Sequence, residues 1–219
     1  MAAWARWAVF GALAIFLYVG AEVSIGSLMI NFLIHIRFID FLREAGVLDA
    51  LGRIGIIQAS AENERIAGQV LGLFYWGGAM VGRFVGSALL TRIRAGVLLS
   101  VAAFATTCLC LFVTTAPGAV AGVAALAVGF FNSIMFPTIF TLTIERSSAP
   151  TSSTSGLLCM AIVGGAVLPY IAGRVADARS LDLAFFVPMA GYVGILCFAL
   201  AASRSVAASK TAAQPAEIA

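Results

Sequence analysis

The chain has 219 residues, of which 62% are hydrophobic and only 11% charged, against about a quarter charged in an ordinary soluble domain. That length accommodates several spans of roughly 20 apolar residues and no sizeable soluble domain, so the fold class is all-α integral membrane, with the lipid bilayer as first partner. A formal net charge of +3 points to neither nucleic acid nor an acidic partner.

Six apolar stretches follow in order. The first span covers about 7–33, and its only charge is Glu22. Arg6 ahead of a long apolar run would suit a signal peptide, but no small-residue cleavage site follows a short core, so the run reads as a retained span. A polar loop over 35–66 carries balanced charges together with Phe38, Phe41, Leu42, Leu48 and Leu51, the composition of a short helix lying on the membrane surface.

The second span, about 68–91, is organised by small residues. At 100° per residue, Gly68, Gly72, Tyr75, Ala79, Gly82 and Gly86 share one side of a helix. Such a flat face lets another helix approach closely, and in lipid close approach is a main route to helix association. Third and fourth come 97–115 and 120–144, the latter interrupted by Asn132 and Pro137. A Ser/Thr/Pro-rich link then leads to the fifth span, 155–172, and the sixth is 183–202. A polar tail over 204–219 is expected to be disordered. Gly77, Gly78 and Ala79 recur as Gly164, Gly165 and Ala166, which predicts two three-helix inverted repeats, a common plan for secondary transporters.

Glu22 is the most informative side chain. A charged carboxylate at mid-helix costs about 2.5 to 3.5 kcal/mol on insertion scales, so it must face protein or water, or be protonated. Tyr18 and Gly26 lie one turn either side of it on the same face. The functional reading is a substrate contact and proton carrier; the plain one is a carboxyl hydrogen-bonded to neighbouring helices for packing. Asn132 shares a face with Phe136, Phe140 and Thr143 just before the Pro137 break. An amide flanked by aromatic rings suits a sugar, and equally suits an interhelical bond beside a structural kink. Proline in a spanning helix frees a carbonyl one turn earlier and bends the chain. Arg83 sits in the glycine-bearing helix, where gating or structural work, shared with Gly82 and Gly86, fits better than substrate contact. Tyr75 and Trp76 read as an interfacial belt or as a cavity wall.

Cys108, Cys110, Cys159 and Cys197 lie inside apolar runs and read as small buried side chains. His35, where the first span ends, reads as an exposed interfacial residue. No HExxH, Walker loop, GxSxG or metal-spaced Cys/His set occurs, so no enzyme activity, cofactor or metal is expected.

Four segments together carry a resemblance: LYVGAEVSIGS (17–27), FYWGGAMVGRFVGS (74–87), GFFNSIMFPTIFTLTIE (129–145) and SGLLCMAIVGGAVLP (155–169). They resemble the C-terminal half of the fucose:proton symporter family of the major facilitator superfamily, which includes the fucose and glucose/galactose permeases. The resemblance implies alternating access around a central sugar cavity, with hexose and proton as transported species, in a bacterial inner membrane with both termini cytoplasmic. It makes Tyr18, Glu22 and Asn132 cavity-lining, and puts Arg83 and Gly86 at the gating contacts of the cytoplasmic end. The N-terminal six-helix half of that family is absent from this sequence. The chain is therefore expected to be truncated or one partner of a split transporter, unable to catalyse symport alone. A non-transporting six-helix interaction module, meeting another membrane protein or a second copy as a homodimer, is the alternative.

Overall fold

The computed structural model describes the backbone of residues 3–212 and the side chains of residues 6–204. Six helices in it are long and apolar enough to cross a membrane, and they fall where the apolar runs predict. They are α1 (Arg6–His35), α4 (Asn63–Leu90), α5 (Ala95–Thr115), α6 (Ala119–Arg146), α7 (Thr151–Ala178) and α8 (Leu181–Arg204). The protein is a multi-pass membrane protein.

Two short helices, α2 (Phe38–Glu44) and α3 (Val47–Arg53), occupy the polar loop. One surface helix was expected there; two form because the chain turns through left-handed backbone at Arg37 (φ 56°) and Gly46 (φ 72°). Gly46 adopts that conformation without a Cβ penalty. The α2 helix buries Phe38, Ile39 and Leu42, and Phe38 lies against Gly122 of α6. The end of the loop is helical as well: α4 starts at Asn63, with Glu64 in its first turn, where a carboxylate complements the helix dipole. At the other terminus the backbone stays helical to Ala212, so the first part of the expected disordered tail is corrected to helix. Alanine and serine run there without glycine or proline, and alanine favours helix most. Residues 213–219 of that tail lie outside the described residues.

The spans pack with a pseudo-two-fold relation between the triplets α1, α4, α5 and α6, α7, α8. The first helix of each triplet packs along the second helix of the other, and the third helices α5 and α8 pack on each other. Glycines make these crossings close. A Cβ on Gly164 of α7 would strike the Phe16 backbone of α1, one on Gly82 of α4 the Phe130 carbonyl of α6, and one on Gly129 of α6 the Tyr75 carbonyl of α4. The repeated Gly-Gly-Ala is matched by a repeated irregularity. In α4 a π-helical segment, Leu71–Trp76, runs directly into Gly77; in α7 a 3₁₀ turn, Ala161–Val163, runs directly into Gly164.

The π segment also corrects the glycine face. Beyond it, Gly82 and Gly86 are buried against α6. Within it, Gly72 is exposed with no neighbouring atom within reach of a Cβ. A π turn widens the spiral by a residue, so the uniform 100° step that aligns Gly68 and Gly72 with Gly82 and Gly86 is lost. Three of the four cysteines, Cys108, Cys159 and Cys197, are exposed rather than buried, and all four are free thiols. They lie on helix faces left uncovered by the six-helix unit, and in a bilayer an apolar thiol needs no protein cover.

The polar groups mark the two ends of the unit. Trp7 of α1, Arg146 of α6 and Phe198 of α8 meet at one end: the Arg146 guanidinium lies 5.6 Å from the Trp7 ring centre, and its Nη2 donates to the Ala202 carbonyl at 2.7 Å. At the opposite end His35 Nε2 lies 3.9 Å from Asp182 Oδ2, with α2 and α3 nearby in sequence. The His35 side chain is half exposed, as expected of an interfacial residue.

Candidate functional site

Between these ends, α1, α4 and α6 bring a polar cluster into the middle of the membrane. It is centred on the interruption of α6. Helix continues to Asn132 and resumes at Met135, leaving Ser133 and Ile134 as a turn one helical turn before Pro137. Proline cannot supply an amide hydrogen to the carbonyl four residues earlier. Side-chain hydroxyls take up acceptors near the break: Ser133 Oγ donates to the Phe130 carbonyl at 2.8 Å, and Thr138 Oγ1 to the Ile134 carbonyl at 2.6 Å.

Tyr18 crosses from α1 to this break. It is 3% exposed, and its hydroxyl donates to the Asn132 backbone carbonyl at 3.1 Å. The Tyr18 and Phe136 ring centres are 6.1 Å apart, and Phe136 stacks on Phe140 at the same spacing with planes 26° apart. Both phenylalanines are half-buried. Glu22, one turn along α1, is also half-buried. Its carboxyl neighbours the Tyr18 hydroxyl, close enough for the two side chains to interact. Arg83 of α4 is the cation whose field reaches Glu22 and Tyr18; it is exposed and makes no direct ion pair with Glu22.

The Asn132 side chain points the other way. It is fully buried, and its Nδ2 donates to the Tyr75 hydroxyl at 3.0 Å. Tyr75 is itself fully buried, so it belongs to neither an interfacial belt nor an open cavity wall. Behind Asn132 stands Tyr192 of α8, also fully buried. Among the described residues, Asn132 Oδ1 and the Tyr192 hydroxyl are the buried side-chain atoms without a hydrogen-bond partner. They neighbour each other short of bonding geometry. The expected site residues thus divide into two layers. Glu22, Phe136, Phe140 and Arg83 are accessible; Tyr18 and Asn132 lie beneath them. Pro137 is exposed and Gly82 and Gly86 are buried in the α4–α6 contact.

Tyr192 was invisible to sequence reasoning. The only signal was a lone tyrosine within an apolar run. Its hydroxyl, buried without a hydrogen-bond partner, lowers stability. Tyr192→Phe is therefore expected to leave thermal unfolding of the purified protein unchanged or raise it by about 1 kcal/mol. Tyr75→Phe, which strands the Asn132 amide, is expected to lower it by about 1–3 kcal/mol. A larger loss for Tyr192→Phe than for Tyr75→Phe would contradict this arrangement.

Known proteins share this architecture. No family model matches the chain. The glucose/galactose transporter of Brucella abortus biovar 1 (strain 9-941) is 43% identical over 201 residues, 91% of this chain and 43% of the relative. The L-fucose-proton symporter of Escherichia coli (strain K12) is 30% identical over 195 residues, 89% of this chain and 37% of the relative. The crystal structure of FucP, a major facilitator superfamily transporter, in the outward conformation superposes with a TM-score of 0.70 at 28% identity, over 90% of this chain and 42% of that one. The chain is a homologue of major facilitator superfamily sugar transporters. The resemblance read from the four segments is borne out, and the match is to the C-terminal half of these transporters. The homologue spans less than half the length of the relatives it matches. Its six helices in two triplets have the fold of one half of such a transporter.

Proposed function

We propose that the six-helix unit forms one wall of a hexose cavity in a proton-coupled transporter that works by alternating access. The observation that supports this most directly is a mid-membrane carboxyl beside an accessible aromatic stack. An ionisable residue inside a span is a functional-site candidate by default, and a sugar offers hydroxyls for Glu22 and Arg83 and an apolar ring face for Phe136 and Phe140. Glu22 exchanges the coupled proton. Tyr18 and Asn132 hold the wall from beneath, and Gly82, Gly86 and Pro137 set how α4 and α6 move against each other, with Arg83 at the gate. Fucose, glucose or galactose is the substrate class suggested by the relatives. The complementary wall comes from an N-terminal six-helix half, the unit sits in a bacterial inner membrane, and both termini are cytoplasmic.

Reconstitution tests this reading. Vesicles holding this 219-residue chain alone are expected to show no proton-driven hexose uptake. Vesicles holding it together with an N-terminal six-helix half of a relative are expected to accumulate hexose when the outside is acidified, and to lose that accumulation with a protonophore. Uptake by the chain alone would remove the need for a second half. No uptake with both halves folded and associated would favour a non-transporting interaction module or a homodimer.

A further inference from the structure

We infer that Tyr18 is the residue through which the protonation of Glu22 reaches the break in α6: its single hydroxyl proton is shared between the Asn132 carbonyl and the Glu22 carboxyl. The inference deepens the proposed role of Glu22 and rests on that role only for its use in transport.

A tyrosine hydroxyl has one proton to donate. In the structure the hydroxyl oxygen lies within hydrogen-bond distance, 3.1 Å, of the Asn132 backbone carbonyl, at the last residue before α6 is interrupted. The same hydroxyl has Glu22 as its neighbour one turn along α1. A protonated Glu22 donates to the Tyr18 oxygen and leaves the Tyr18 proton on Asn132. An ionised Glu22 only accepts, and a bond to a carboxylate is about twice as strong as a neutral one, so the Tyr18 proton turns to Glu22 and the α1–α6 tie opens. The Tyr18 hydroxyl thus stands between the two acceptors, within 3.1 Å of the Asn132 carbonyl and beside Glu22.

Few charged groups surround Glu22 within the spans. From α4, Arg83 and Tyr75 face Glu22; the Arg83 guanidinium supports the ionised carboxylate when the tie opens. The stretches 120–144 of α6, 155–173 of α7 and 183–203 of α8 carry no charged residue. Asn132 is held by a second, independent bond from its side chain to Tyr75, so opening the Tyr18 tie frees the backbone of the break without releasing the helix from α4.

The test is hydrogen exchange of the full chain in lipid nanodiscs, without sugar, read as protection of residues 133–138. Protection factors divide out the intrinsic pH dependence of exchange. Wild-type protection is expected to fall about three- to tenfold, the worth of one neutral hydrogen bond, as pH rises through the titration of Glu22. In Glu22→Gln, whose side-chain amide still donates to Tyr18, it is expected to stay high at every pH. In Tyr18→Phe it is expected to stay low at every pH, while protection of α5 and α8 reports that the fold is intact. A wild-type profile flat in pH, or one whose fall persists unchanged in Glu22→Gln, would overturn the inference. Because no sugar is present, its failure is separate from the failure of the symport reading, which uptake measurements decide.

Discussion

Gly82→Leu is expected to produce the largest loss of stability of any single substitution in α4, while Gly72→Leu in the same helix is expected to be nearly silent. The Gly82 Cβ position is occupied by the Phe130 carbonyl and flanked by the Ser133 hydroxyl, and a helix carbonyl cannot swing aside as a side chain can. The two helices must separate, losing the dispersion contacts that hold spans together in lipid. Overpacking typically costs about 1–3 kcal/mol, and more where backbone must move. Nothing stands near the Gly72 Cβ position, so a side chain there points into lipid. Thermal unfolding of the two purified variants under one detergent condition gives the comparison. Equal midpoints would mean that α4 and α6 are not held at the distance described. A milder pair, Gly129→Ala against Gly173→Ala, asks the same question, since Gly129 meets the Tyr75 carbonyl and Gly173 meets nothing.

Glu22→Gln is expected to have the largest effect on transport once both halves are assembled. The amide keeps the size and much of the hydrogen bonding of the carboxyl but cannot take up or release a proton. Accumulation of hexose driven by a proton gradient is expected to be lost, whereas exchange of labelled for unlabelled hexose across the membrane is expected to continue, because exchange needs alternation of the loaded carrier and no net proton movement. The variant also removes the charge of a group half-buried in a span, so no loss of folded protein is expected to obscure the result. Uphill accumulation equal to wild type would take Glu22 off the coupling path and leave it as a packing carboxyl.

Much of this molecule is legible one residue at a time. Each of the six spans follows from an apolar run too long for anything but a bilayer, and the pairing of Tyr18 with Glu22 follows from a spacing of one helical turn. The Gly-Gly-Ala repeat announces two related triplets. Period-based reasoning stops where the helix departs from its regular period. Leu71–Trp76 takes a π-helical path, which leaves Gly72 outward while Tyr75 faces inward with Gly82 and Gly86. Asn132 shows a second limit. Its neighbours Phe136 and Phe140 identify a face, yet the rotamer chosen at the break sends the amide to Tyr75, behind that face.

The sequence by itself determined that the chain lies in a membrane, how often it crosses, and that a carboxylate and an amide are placed in spans where each needs a partner, because transfer free energies are properties of residues and short windows. Only the tertiary structure decided which partners they have. Tyr18 meets Asn132 across 114 positions of chain and Asn132 meets Tyr75 across 57. Such contacts depend on how α1, α4 and α6 cross, and the crossings depend on glycines whose importance is set by the backbone opposite them.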